Sequence, residues 1–146
     1  MHEIEEWIDS AIRNHDLQIS KLPREQAQEL LDETRAKFLQ DNPRAWWMAL
    51  KVKPTSLSSE GRPLSMVVPV TAADLFFIPE IDEEALPVYR AQLARLERLI
   101  EECPFFEYYV VAPGKQWLLV ESDHNEYFLC LDTDQSETTS RPTGHE

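Results

Sequence analysis

The stretch FFEYYVVAPGKQWLLVESDHNEYFLCL, residues 105–131, constrains the fold more than any other part of the chain. Three runs rich in aromatic and branched residues, Phe105–Val111, Gln116–Ser122 and Glu126–Leu131, are separated by turn signals, which predicts three β-strands. Between the first two lies Ala112-Pro113-Gly114-Lys115. Pro presets φ at its position, and Gly accepts the positive φ that a type II turn demands next. Strands so close in sequence form an antiparallel meander most economically. The runs are apolar on both faces over much of their length, so helices should cover one face and the other should be at least partly covered.

Upstream, Ile4, Trp7, Ile8, Ala11 and Ile12 recur at helical spacing and predict an amphipathic helix over residues 2–14. Glu3, Glu5 and Glu6 fall in its first turn, where the macrodipole favours negative charge. A second helix is expected from Pro23 to Leu39, with Ala27, Leu30, Leu31, Thr34 and Phe38 as its buried stripe. RAWWMALKVK alternates and favours a strand, although Asn42-Pro43 is also a fair helix start. PTSLSSEGRP, residues 54–63, reads as a polar loop. SMVVPV reads as a short edge strand, because Pro69 cannot donate to a central ladder. DLFFIPE reads as a strand, and a helix follows that ends near Glu102, with Tyr89, Leu93, Leu96, Leu99, Ile100 and Cys103 on one face. Its start is open: Asp82 is a candidate cap, but Pro87 would then interrupt a backbone bond.

These elements predict an α+β fold. N-terminal helices pack on a mainly antiparallel sheet, with a further helix before the C-terminal three-stranded meander. Residues 1–132 form a single domain. The polar segment 133–146 has no large apolar residue to offset its ordering entropy and reads as a disordered tail.

The net charge of −13 is unevenly spread. Residues 1–62 carry nine Lys/Arg against eleven Asp/Glu, and residues 63–146 carry five against sixteen. Such a surface repels nucleic acid and anionic membrane, and attracts a basic protein. It also serves simply to keep a protein dissolved. No run approaches the ~20 apolar residues of a membrane span. The acidic start MHEIEEWIDS is unlike a secretory signal, so a cytoplasmic address is expected. Cys103 and Cys130 lie in different predicted elements among apolar neighbours and read as buried free thiols.

Several chemistries can be set aside. Three glycines, Gly61, Gly114 and Gly144, cannot build a phosphate-cradling loop or a dinucleotide fingerprint. The sequence contains no H-E-x-x-H, C-x-x-C or G-x-S-x-G. No cofactor or metal is therefore expected. The one local constellation is Asp123-His124-Asn125-Glu126. His124 with a carboxylate to orient it is a general-base arrangement, and Asp, His and Glu are metal ligands. Turn chemistry accounts for Asp123 and Asn125 better, because their side chains bond nearby backbone and tolerate left-handed conformations. Only His124 is left without a turn role.

Glu107 and Glu121 interrupt apolar strands. If Ala112 and Lys115 flank a two-residue turn, Glu107 faces Val120 and Glu121 faces Phe106. The two carboxylates then point to opposite sheet faces, against an acid–base dyad. Solvent-exposed strand positions are the plainer explanation for both. Alternation in the Trp46-Trp47 pair turns one ring inward and the other outward, where an exposed ring would anchor an interface; packing of both in the core is the competing reading.

The C-terminal third resembles a family of small, uncharacterised bacterial proteins whose pattern has an aromatic FEYY strand, a turn, and W-L-L-C-E-N-H-H-N before a last strand. The Trp pair and the DLFFIPE strand are similar to that pattern as well. This chain has Asp123 and His124 where the pattern has paired histidines, and Val120 where it has Cys. The resemblance implies a neighbourhood of α and β elements and no particular activity. In size and charge the chain is also similar to immunity or antitoxin-type partners of bacterial toxins.

The leading expectation is a non-enzymatic protein-binding module for a basic toxin or effector, with Trp46, Trp47, Glu107, Glu121, Asp123 and His124 as candidate binding residues. One alternative is a small hydrolase or metal-dependent enzyme using Asp123, His124 and Glu126. Another is an accessory domain that scaffolds a complex.

Overall fold

A computed structural model describes residues 3–39, 50, 54–69, 73–81, 86–122 and 126–131. The fold is α+β, as expected. Among the described residues three helices, α1 (Glu3–His15), α2 (Arg24–Phe38) and α3 (Leu93–Glu102), accompany a seven-stranded sheet whose pairings are all antiparallel. The strands are β1 (Ser20–Lys21), β2 (Thr55–Ser58), β3 (Leu75–Pro79), β4 (Tyr89–Ala91), β5 (Tyr108–Val111), β6 (Trp117–Glu121) and β7 (Glu126–Leu131). They lie in the order β1-β4-β3-β5-β6-β7-β2.

The two faces of the sheet carry separate cores. On one, Leu75, Phe77, Tyr89, Tyr108, Val110, Leu119 and Tyr127 pack with Ile8 and Ala11 of α1 and Leu96 and Leu99 of α3. On the other, Ile78, Tyr109, Val111, Leu118, Val120 and Cys130 pack with Ala27, Leu31 and Phe38 of α2. All residues of β5 and β6 are buried, which requires cover on both sides. That is why these strands are apolar at every position instead of every second one.

The helix limits have local causes. Beyond His15 the chain takes positive φ at Asp16 (50°) and Gln18 (55°), which the helix cannot continue. Pro23 caps α2, whose first backbone bond runs from Ala27 N–H to its carbonyl. Pro104 forces the preceding Cys103 into an extended conformation and so ends α3.

Several expectations are corrected. Between the DLFFIPE strand and the helix the chain adds β4, just after Pro87, which pairs with β3 and β1. Tyr89 is thus a strand residue, and α3 starts only at Leu93. The segment read as the polar loop 54–63 contains β2, held at the sheet edge by β7, with its small hydroxyl side chains outward. SMVVPV, expected as an edge strand, holds no strand in its described residues 65–69; a 3-10 turn, Leu64–Met66, opens the segment and buries Leu64 under α3, and Val70 lies outside the described residues. Of RAWWMALKVK only Leu50 is described, in a single antiparallel bridge to Leu39. Trp46 and Trp47 lie outside the described residues, as does the segment 133–146.

Phe77 sits where the first core is tightest. Its ring stacks on Tyr108 at 5.0 Å between centroids and meets Phe106 edge-on at 6.1 Å, and it is fully buried. Phe77→Ala should lower the unfolding free energy by about 3–5 kcal/mol, read from the urea midpoint.

Candidate functional site

The β5–β6 connection decides what faces Glu121. Pro113–Lys115 form a 3-10 turn with φ of 66° at Gly114 and 55° at Lys115. The strands close at Ala112 N–H to Trp117 C=O, 3.1 Å. The connection is therefore longer than a two-residue turn, and Glu121 stands opposite Tyr108 instead of Phe106. The slip is an even number of residues, so side-chain parity survives. Glu121 shares a face with Tyr108, while alternation places Glu107 on the α2 side. Glu107 and Glu121 do not meet.

Glu121 is not a solvent-exposed position. It is 9% exposed, flanked by Tyr108 on β5 and Tyr127 on β7. The Tyr108 hydroxyl donates to its Oε1 at 2.5 Å, and Ser59 just beyond β2 bonds to it as well. The Tyr127 hydroxyl lies beside that of Tyr108 and donates to the Arg62 carbonyl at 2.7 Å. Two strands, the carboxyl and the 59–62 turn are thus tied into one polar cluster.

No lysine or arginine among the described residues pairs with Glu121. Burial therefore decides its ionisation: it raises the carboxyl above the ordinary range, and the bonds from Tyr108 and Ser59 only partly oppose this. Burial, with the Glu121 charge added, pushes Tyr127 up to about 12 and raises Tyr108 well above the ordinary phenol. The cluster brings together one carboxyl and the hydroxyls of Tyr108, Tyr127 and Ser59. Among the described residues no three His, Cys, Asp or Glu side chains gather as metal ligands.

Glu126 opens β7 half-buried, paired with Ser58 across the edge. Asp123 and His124 lie outside the described residues. The strands on either side are paired, and Ser122 N–H donates to the Glu126 carbonyl at 3.0 Å. Neither cysteine is in a disulfide: Cys130 is buried, which pushes its thiol up to about 12 and disfavours the reactive thiolate, and Cys103 is half-buried.

Tyr108, Tyr127 and Ser59 were absent from the sequence expectation. The signal existed: Glu121 has the inward phase of an all-apolar strand, and each neighbouring strand offers a tyrosine. The loop length assumed for Ala112–Lys115 hid it. Comparison with models of protein families, with curated proteins and with solved structures found no match.

A second feature lies on α3. Glu97 accepts the Ser65 backbone N–H at 2.8 Å, which holds the 3-10 turn against the helix and leaves Met66 70% exposed beside it. Arg98 is tied to Glu102 at 2.9 Å, whereas Glu97 and Glu101 pair with no cation among the described residues. Phe105, 54% exposed, follows one turn beyond Glu101.

Because the folded-state value of Glu121 is raised, its contribution to stability is fully present below the ordinary carboxylate value of 4.5 and is lost as pH rises through the folded value. Glu121→Gln keeps an acceptor for Tyr108 and removes the titration. The variant should match wild type at acid pH and exceed it at neutral pH, seen as a flatter unfolding free energy against pH. Tyr127→Phe, which removes the hydroxyl that bonds the Arg62 carbonyl and lies against that of Tyr108, should cost about 1 kcal/mol in the same measurement.

Proposed function

We propose that the protein is a non-enzymatic binding module that engages a basic protein, in the manner of an immunity or antitoxin partner. The charge surplus after residue 62 carries the reading: sixteen acids against five bases. Long-range attraction of that kind accelerates encounter with a cationic partner and discriminates against acidic ones.

The α3 surface supports this reading locally. Glu97 and Glu101 stand four residues apart on one side of the helix, and the only arginine between them is occupied by Glu102. Met66 and Phe105 add exposed apolar contact at either end. Charge around a few desolvated apolar anchors is the usual composition of a specific interface. Glu121 contributes to binding only indirectly on this reading, through the turn it holds next to the Leu64–Met66 segment.

Capture with the tagged full chain from its native cells should recover one basic protein in stoichiometric amount, and the yield should fall as salt rises. Glu97→Lys with Glu101→Lys should weaken that binding by at least about tenfold, because both positions would then repel the partner. Recovery of no stoichiometric partner, or capture indifferent to salt and to both reversals, would sink the proposal.

A further inference from the structure

A cleft of about 370 Å³ opens at the other edge of the sheet, away from the acidic helix α3. Its walls are Glu5 of α1, Lys21 of β1, Arg24, Ala27 and Gln28 on the first turns of α2, and Leu86 and Pro87 before β4; Leu22 lies in its floor. Its volume is within the range of small-molecule sites.

The walls are fixed in advance. The pairs Ser20–Arg90 and Lys21–Tyr89 hold β1 on β4, and Leu22 N–H extends the ladder to the Val88 carbonyl at 2.8 Å. Lys21 Nζ reaches Glu5 at 2.5 Å and Asp9 at 3.2 Å, and lies 5.4 Å from the centre of the Tyr89 ring. The buried Tyr89 hydroxyl donates to Asp9 at 2.8 Å. This network clamps α1 to the sheet edge, so the cleft need not be assembled by its ligand.

The charges lining the cleft are not equivalent. The Lys21 ammonium is neutralised by two carboxylates. The Gln28 amide donates to Asp32 at 2.9 Å. Arg24, in contrast, pairs with no carboxylate among the described residues, while its floor is supplied by Leu22, Ala27, Leu86 and Pro87.

The geometry points to a binding site for a small monocarboxylic acid with a compact apolar body. The carboxylate meets the Arg24 guanidinium, whose planar fork matches two oxygens at once. The hydrocarbon covers Leu22, Leu86 and Pro87. One cation with no carboxylate partner among the described residues, set beside Glu5, suits a monoanion and disfavours a phosphate dianion, which would face Glu5 across the cleft. The site is independent of the protein partner proposed above.

The test is a titration of the full-length ¹⁵N-labelled protein with phenylacetate and isovalerate, with phenylacetamide and inorganic phosphate as counter-probes. Saturable shifts confined to the amides of Lys21, Leu22, Arg24, Ala27, Gln28 and Leu86 are expected, with dissociation constants of about 1 mM or below. Phenylacetamide, phosphate and the Arg24→Gln variant should each bind about tenfold more weakly. Arg24 is exposed, so Arg24→Gln keeps the fold, which its unshifted core amides would verify. The proposal is overturned by unsaturable or scattered shifts, by an amide or phosphate that binds as well as the acid, or by an Arg24→Gln loss smaller than about threefold.

Discussion

Strand β5 is buried on both faces, and the rest of the structure follows from that. A central strand of Tyr-Tyr-Val-Val cannot be left against water on either side. Burying each such side chain is worth roughly 2 kcal/mol, and that gain is available only if helices cover both faces. The chain meets the demand by sending α1 and α3 to one side and α2 to the other. The sheet order follows too, with β3 and β6 on either flank of β5, so that its backbone groups are all paired where water is excluded.

That arrangement makes Glu121 intelligible. A carboxyl in the inward phase of β6 is costly, and the structure offsets part of the cost with hydroxyl donors from Tyr108 and Ser59, while burial raises its pKa above the ordinary range. A lysine brought in to neutralise it would itself have to be desolvated. Two tyrosines bring aromatic rings that belong to the core and place only their tips in the polar cluster. The same economy appears at Tyr89, whose ring is core and whose hydroxyl meets Asp9.

Much of the fold was legible because it rests on periodicity. The stripe of Ile4, Ile8, Ala11 and Ile12 marks α1, and the runs at 105–131 mark the meander; β7 has the limits its residues suggest, Glu126–Leu131. What escaped depends on tertiary context. Thr55–Ser58 carries no strand signal of its own and is a strand only because β7 presents an open edge to it. Val88–Ala91 reads as the beginning of a helix until Pro87 and two neighbouring strands hold it extended. The buried cluster was half legible. The residue type and phase of Glu121 singled it out, but the partner across the sheet depends on a loop geometry with positive φ at Lys115, which the residue itself does not announce.

The two outermost strands differ from the five between them in where they come from. β3 to β7 are consecutive in sequence and occupy the middle of the sheet, whereas β1 and β2 come from the first half of the chain and form its borders. Ser20 joins Arg90 and Thr55 joins Leu129, each pair about seventy residues apart. Entropy charges heavily for closing loops of that length before any other contact is in place, so local pairings have the advantage in time. A chain emerging from the ribosome therefore makes both border strands before anything exists for them to border. The last edge closes only after Leu129 has emerged.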